Sequence, residues 1–260
     1  MRYTPPVRLL FLGTGTSQGV PVIGCECAVC SSADPKDRRF RSSLLIRSDR
    51  QILIDSGPDL RAQALTFGVN HLDAVVYTHC HNDHVMGFDD LRRYCEMTGR
   101  KMPVYASQAT LTMLQQVFPY AFDPTLKVST YISAEPHVVD AGREFAIGGV
   151  SLRAINVPHG HTPTFGYIIS GRAAYLPDCA ALTEELAAAL QNIPVLIIDG
   201  LREQPHPTHL HIAAAIDAAR RVNAKQTYLT HLTHHVSHAD RQRNLPDGIT
   251  LAYDGLSIEL

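Results

Sequence analysis

The stretch YTHCHNDH, Tyr77 to His84, places three histidines and an aspartate within six positions, in the spacing His79-x-His81-x-Asp83-His84. Neutral imidazoles bind zinc, iron or manganese, and a carboxylate hardens the set. Alternate residues of an extended segment point to the same side. His79 and His81 can therefore chelate one cation while Asp83 and His84 turn towards a second. A lone histidine is ordinarily a hydrogen-bonded polar residue, but four ligand types at the end of the apolar run LDAVV call for more. Further candidates sit at the ends of other apolar runs: His159 and His161 in INVPHGH, Asp178 in AYLPDC, and His231, His234 and His235 in TYLTHLTHH. An aspartate at the end of a buried strand is costly unless paired or metal-bound, which makes Asp178 a candidate to bridge two cations.

A second cluster is softer. CECAVC sets thiols at Cys25, Cys27 and Cys30, a spacing that lets one loop wrap one ion. A structural zinc takes about four ligands, so a fourth must come from elsewhere. His234 is the leading candidate: if His231 faces the first cluster, a turn of chain aims His234 outward towards the cysteine loop. A disulfide would leave one of the three cysteines unpaired and is disfavoured in the cytoplasm. Cys80, Cys95 and Cys179 are isolated and read as small buried or incidental thiols. Cys80, inside the histidine motif, is expected to point away from the metals.

The elements that must carry these side chains are legible as apolar runs. VRLLFLG, SSLLIRS, QILIDSG, LDAVVYT and MPVYAS read as strands, as do LKVSTYIS (126–133), EFAIGGVSLRAINVP, FGYIIS, RAAYLPD, PVLIIDG and QTYLTHL. PDLRAQALTFG, QATLTMLQQVF, LTEELAAALQ and HLHIAAAIDAARRV read as helices, and ITLAYDGLSIEL as a closing hairpin. Strands mixed with helices imply two β-sheets with helices on their outer faces. In a chain of 260 residues that is 45% hydrophobic and 18% charged, with no repeat or long linker, this makes one domain over 1–260, carrying a zinc-binding cysteine loop at about 24–40. A formal charge of −2 argues against gripping long nucleic acids by charge alone. No apolar run reaches membrane-spanning length and the N-terminus lacks a signal-peptide pattern, so the expectation is a cytoplasmic protein.

The order of these motifs resembles the metallo-β-lactamase superfamily, over nearly the whole chain from FLGTGTSQGVP to LTHLTH. The resemblance implies an αβ/βα four-layer sandwich, two mixed sheets packed face to face, with a dinuclear site at one edge. It implies that His79, His81 and His159 hold one metal, that Asp83, His84 and His231 hold the other, and that Asp178 bridges. Asp55 in ILIDSG matches an aspartate that supports the ligand histidines from behind, though it equally fits an ordinary strand-end cap. His159 and His161 both precede PTFGYII; PHG is the commoner family pattern and favours His159, leaving His161 to the pocket or the surface. The cysteine loop, with a histidine three residues beyond the last catalytic one, is similar to the PhnP-type phosphodiesterases, which act on cyclic phosphates, and more distantly to ribonuclease Z.

That resemblance implies a metal-dependent hydrolase, here a phosphodiesterase for a small or cyclic phosphodiester. Two divalent ions, zinc or manganese or else iron, about 3.5–4 Å apart, lower the pKa of a shared water, and the resulting hydroxide attacks while the cations take up phosphoryl charge. Asp83 counts with the catalytic residues as well as the ligands. In the phosphodiesterase branch a histidine of the segment REQPHPTHLHIAAA serves as general acid, and His209 aligns with it; His206 and His211 are expected in a polar helix-start loop. Competing readings are a ribonuclease Z-like endonuclease, whose long RNA-gripping arm has no counterpart here, and a thioesterase or lactonase, which needs neither His209 nor the cysteine loop. A non-catalytic binding module would show lost ligands, and none is lost. In DDLRRYCEMTGRKM, Arg92 and Arg93 read as a solvated helix face and Tyr94 as core or pocket entrance. A homodimer is common in the superfamily.

Overall fold

Strand β1, Arg8–Gly13, alternates its apolar side chains between two faces: Leu9 and Phe11 enter one buried cluster, Leu10 and Leu12 another. Neighbouring side chains of a strand point oppositely, so a strand that is apolar on both sides must be covered on both sides. The same split recurs in β2 (Ser43–Arg47), where Leu44 and Ile46 face inward with Leu9 and Leu45 faces out with Leu10.

A computed structural model describes residues 6–125 and 131–260. One sheet contains β1, β2, β3 (Gln51–Ile54), β4 (Ala74–Val76), β5 (Met102–Ala106) and β6 (Ala134–Val138). The other contains β7 (Glu144–Ile147), β8 (Val150–Val157), β9 (Thr164–Ile169), β10 (Ala173–Leu176), β11 (Val195–Asp199), β12 (Gln226–Thr230) and β13 (Ile249–Leu251); β14 (Ser257–Glu259) returns to the first sheet. The orders are β14-β1-β2-β3-β4-β5-β6 and β13-β12-β11-β10-β9-β8-β7. In each sheet antiparallel pairs give way to parallel ones, at β3–β4 in the first and β10–β11 in the second.

The inner faces meet in a core that includes Phe11, Ile46, Ile54, Leu152, Tyr167, Tyr175 and Ile197. Each such side chain is worth roughly 1.5–3 kcal/mol of burial. The helices α1 (Leu60–Phe67), α2 (Asn82–Val85), α3 (Arg92–Thr98) and α4 (Gln108–Val117) follow strands of the first sheet, and α5 (Glu184–Ala189), α6 (Ile212–Arg221) and α7 (His238–Gln242) follow strands of the second. Helix α6 buries Ile212, Ala215, Ile216 and Ala219, the i, i+3, i+4, i+7 stripe of one face. Outer-face cores such as Leu45, Leu53, Leu111 and Leu114 on one side and Leu196, Ile198, Ile212 and Leu229 on the other complete the αβ/βα four-layer sandwich of the metallo-β-lactamase fold.

One local expectation changes. The closing segment is not a hairpin: β13 pairs in parallel with β12 while β14 pairs antiparallel with β1. The YDG turn between them crosses from one sheet to the other, and Asp254 anchors it by accepting from Thr14 Oγ1 and the Phe40 N–H. The strand read at 126–133 lies mostly outside the described residues; the edge strand is β6, whose exposed AEPHV pattern has little apolar signal. DDLRRYCEMTGRKM carries the solvated helix face read from the sequence: helix α3 leaves Arg92 and Arg93 exposed and paired to Glu96, and Tyr94 is buried with its hydroxyl donating to the Val69 carbonyl. Among the described residues no helix is long and apolar enough to cross a membrane.

Candidate metal centre

The C-terminal ends of parallel strands deliver the site, as open α/β sheets commonly do. Asp55 follows β3, the histidine motif follows β4, Asp178 follows β10, Asp199 ends β11 and His231 follows β12, while His159 comes from the end of β8. His79, His84, Asp83, His159, Asp178 and His231 are all buried, and His81 is half-buried. Asp55 and His231 adopt left-handed backbone, φ 64° and 59°, which costs an L residue about 1–2 kcal/mol.

His79, His81 and His159 form one convergent trio. Thr78 Oγ1 donates to Asp55 Oδ2 and so accepts from His79 Nδ1 at 2.9 Å. His159 Nδ1 donates to the Thr208 carbonyl, also at 2.9 Å, and His81 Nε2 lies 2.9 Å from Thr162 Oγ1. His79 and His159 thus commit their protons to the side away from the trio. The bare Nε2 atoms of both converge on the third ring, 2.9 Å (His79) and 3.2 Å (His159) from His81 Nδ1. Lone pairs repel at such distances unless a cation lies among them. His161 is exposed and takes no part. The free Cys80 thiol joins none of these contacts.

Asp83, His84 and His231 form the second trio. His84 Nδ1 donates to Asp55 Oδ2 at 2.8 Å, leaving Nε2 3.1 Å from Asp178 Oδ2 and 3.3 Å from Asp83 Oδ2. Asp178 Oδ1 is 3.3 Å from His231 Nε2 and 3.7 Å from His159 Nε2. Asp178 therefore stands between the two trios. His84 Nε2, Asp178 Oδ2 and His231 Nε2 are buried with no hydrogen-bond partner. Burial presses His84 and His231 towards neutrality, yet Asp178, Asp83 and Asp55 outweigh it and hold His84 well above its ordinary range. The carboxylates of Asp178, Asp83 and Asp199 likewise lift His231 to about 9. The cluster demands positive charge, and its donors fit a pair of divalent cations.

Beside the trios lies a pair of which sequence reading found only half. Asp199, fully buried, accepts from the N–H groups of Cys179 and Leu201, each at 3.1 Å, and from His209 Nδ1 at 2.7 Å. Burial pushes Asp199 well above the usual carboxylate range, and burial together with neighbouring His231 brings His209 down to about 4. The two backbone donors suit the carboxylate form, so one proton sits on His209 Nδ1 and leaves Nε2 free. The His209 ring stacks on His231, centroids 4.8 Å apart. Asp199 in PVLIIDG carries the same signal as Asp178, an acid closing an apolar strand. Thr78, Thr162 and the Thr208 carbonyl have no comparable signal in the sequence. Asp55 sits where it can support His84 and, through Thr78, His79.

The thiols gather separately. His234 Nδ1 is 3.3, 3.6 and 3.4 Å from the sulfurs of Cys25, Cys27 and Cys30. Backbone N–H groups of Val22 and Cys30 donate to Cys30 Sγ and Cys27 Sγ. The Cys30 N–H lowers the Cys27 thiol, whereas burial raises Cys30 to about 11. Three sulfurs and one imidazole nitrogen within ligand distance fit a tetrahedral ion such as zinc. His235 is exposed beside them.

Residues 50–232 match the model of a family described as a beta-lactamase superfamily domain. With the fold and the two trios, this makes the chain a member of the metallo-β-lactamase superfamily and a metal hydrolase. A crystal structure of a diphosphatase from the PhnP family is 40% identical, with a TM-score of 0.91, over 99% of this chain and 98% of that one. Within the superfamily, the chain belongs to the PhnP family. An octanoyltransferase of Porphyromonas gingivalis is also 40% identical, over 96% of this chain but 51% of its own length, so the chain spans about half of that curated relative. The short form of human tRNase Z, 18% identical with a TM-score of 0.69 over 96% of this chain and 98% of that one, shares the fold.

Proposed function

We propose that this chain is a metal-dependent phosphodiesterase that hydrolyses a small phosphodiester or diphosphate, cyclic or open. The observation that carries the reading is the Asp199–His209 pair set against the histidine–aspartate cluster. Ester oxygens of phosphodiesters leave poorly and need a proton, whereas thioesters and activated lactones can dispense with it. Cations held by His79, His81 and His159 and by Asp83, His84 and His231, with Asp178 between them, would supply an activated water and neutralise phosphoryl charge. The name diphosphatase, borne by the 40% identical structure, points to the same phosphoryl chemistry.

The chain's own residues handle the proton. Asp199 fixes the His209 ring with Nε2 outward and stabilises the imidazolium. An arriving phosphate, being anionic, raises His209 from about 4 and lets it deliver a proton to the departing oxygen. A cleft of about 490 Å³ opens beyond His209, lined by Ala180, Ala181, Leu182, His206 and Leu210 among others, with room for the departing group. The octanoyltransferase name belongs to a protein about twice as long, and nothing in the cluster favours acyl transfer over hydrolysis.

The test is a substrate panel with added manganese or zinc: bis-p-nitrophenyl phosphate, a 2′,3′-cyclic nucleotide, a disubstituted diphosphate, a thioester and a lactone. Turnover confined to phosphorus esters is expected; hydrolysis of only the thioester and lactone overturns the reading. His209→Ala should cut turnover of an alkyl phosphodiester about 10²–10⁴-fold with metal content unchanged. Full activity of that variant on such a poor leaving group removes His209 from the mechanism.

A further inference from the structure

We infer that the Cys25–Cys27–Cys30–His234 site is a clamp that aims His231, so that filling the thiol site strengthens cation binding at the trio to which His231 belongs. Five histidines converge in the two trios, and four are aimed by a partner on the far nitrogen: His79 by Thr78, His81 by Thr162, His84 by Asp55 and His159 by the Thr208 carbonyl. His231 differs. Its Nδ1 is buried without a hydrogen-bond partner, so its aim comes from its backbone and from the stacked His209 ring rather than from a polar partner.

That backbone is left-handed at a non-glycine residue, φ 59°, immediately after β12 ends. It is pinned on its C-terminal side. The buried Leu232 donates its N–H to the Thr14 carbonyl at 2.9 Å and accepts from the Thr16 N–H at 3.2 Å. The segment around Thr14 and Thr16 leads into the loop that bears Cys25, Cys27 and Cys30, and two residues beyond Leu232 the chain returns to that loop through His234. An ion in the thiol site therefore closes a short ring through 14–30 and 232–234, and His231 is the residue that leads directly into it. In a metal centre, losing the group that orients a ligand weakens binding about 10–100-fold.

The inference rests on the dinuclear reading of the histidine cluster but not on any substrate. Cys27→Ala and His234→Cys, the latter keeping four soft ligands, are compared with the unmodified chain. Metals per chain are counted by mass spectrometry, and manganese binding is followed by electron paramagnetic resonance. Cys27→Ala should lose the thiol-site zinc and bind one of its two manganese ions about tenfold or more weakly, the other being unchanged, and His234→Cys should restore both. A Cys27→Ala chain that lacks the zinc but binds two manganese ions as tightly as the unmodified chain overturns the clamp. Should Cys27→Ala not fold, titrating the unmodified chain with p-hydroxymercuribenzoate asks the same question: zinc release with weakening of one manganese ion supports the clamp, and release with none overturns it. An unmodified chain that takes up no manganese at all overturns the dinuclear reading instead.

Discussion

The two ligand clusters differ in burial and in the elements that carry them. The histidine–aspartate centre is almost wholly buried and assembled from the ends of strands in both sheets. The cysteine loop has an exposed Cys27 and half-buried Cys25 and His234, and no strand or helix passes through its CECAVC stretch. The difference follows from the chemistry of the donors. Buried carboxylates and imidazoles lose hydration and need fixed partners before any ion arrives, hence Thr78, Asp55 and the Thr208 carbonyl. Thiols lose less on partial burial and bind their ion strongly enough for binding to order the loop. One cluster is held by the fold; the other helps to hold it.

The sharpest way to break this contrast is at Asp178, the side chain that touches both trios. Asp178→Asn should lower kcat/KM at least about 10³-fold, because it removes charge worth several kcal/mol from the reacting centre. It should also drop the metal count of the buried centre while leaving the thiol-site ion in place. Metal analysis beside kinetics decides it. Loss of the thiol-site ion too would mean that the clusters are not energetically distinct, whereas retention of two catalytic ions at full affinity would remove Asp178 from the bridging position.

Asp199 comes next. It touches no trio histidine within hydrogen-bond distance, yet it fixes His209 at 2.7 Å. Asp199→Asn keeps the shape but can present an amide N–H to Nδ1, which would favour the wrong tautomer. A fall of about 10²-fold in turnover is expected for alkyl leaving groups and little change for p-nitrophenolate, with metal content unaltered. Equal losses for both leaving groups would place Asp199 in structural support rather than in proton transfer.

The split between what was readable in sequence and what was not follows the same physics. Strands covered on both faces are near-continuous apolar runs, so β1, β4, β10 and β11 stand out, and the ligands that follow β4 and β10 stand out with them. Asp199 carries the same strand-end signal as Asp178, and only its tertiary contact with His209 gives it a separate role. Thr162 and the Thr208 carbonyl were invisible: a threonine or a peptide group gains its role from a register set by tertiary contact, not by residue type. The final pair of strands looked like a hairpin because local pattern cannot tell which sheet each will join. Asp254, bonded to Thr14 and Phe40, settles that at long range.

Thr162 tests the smaller contributions to the buried centre. Its hydroxyl lies 2.9 Å from His81 Nε2 and helps to present Nδ1 to the other two histidines. Thr162→Val should weaken one catalytic ion about tenfold, whereas Thr162→Ser should restore it. Calorimetric titration of the metal checks both; a Val variant with unchanged affinity would show that packing alone orients the His81 ring.

The smallest effect belongs to the cysteine-loop side of the comparison. Buried Arg39 donates to Thr14 Oγ1 at 2.7 Å, to the Ala252 carbonyl at 2.6 Å and to His238 Nδ1 at 3.2 Å, while the His238 N–H donates to Asp37 Oδ1 at 2.7 Å. A guanidinium only donates, so His238 must keep Nδ1 bare and its ring neutral. Burial, with Arg39 beside it, brings His238 from an ordinary value of 6.5 to about 4. A histidine depressed in the folded state contributes stability that is complete above its unfolded pKa and is lost as pH falls towards the folded value. As pH falls from 6.5 towards 4, uptake of this one proton should therefore lower stability, by well under the limiting ~1.4 kcal/mol per pH unit because solvent screens part of the ring. His238→Gln, whose amide oxygen can accept from Arg39 without titrating, should flatten the dependence of the urea midpoint on pH in that window at a fixed metal concentration. An unchanged slope would mean that acid loosens the molecule elsewhere, and that the polar contacts tying residues 14–39 to the C-terminal segments are indifferent to the charge of His238.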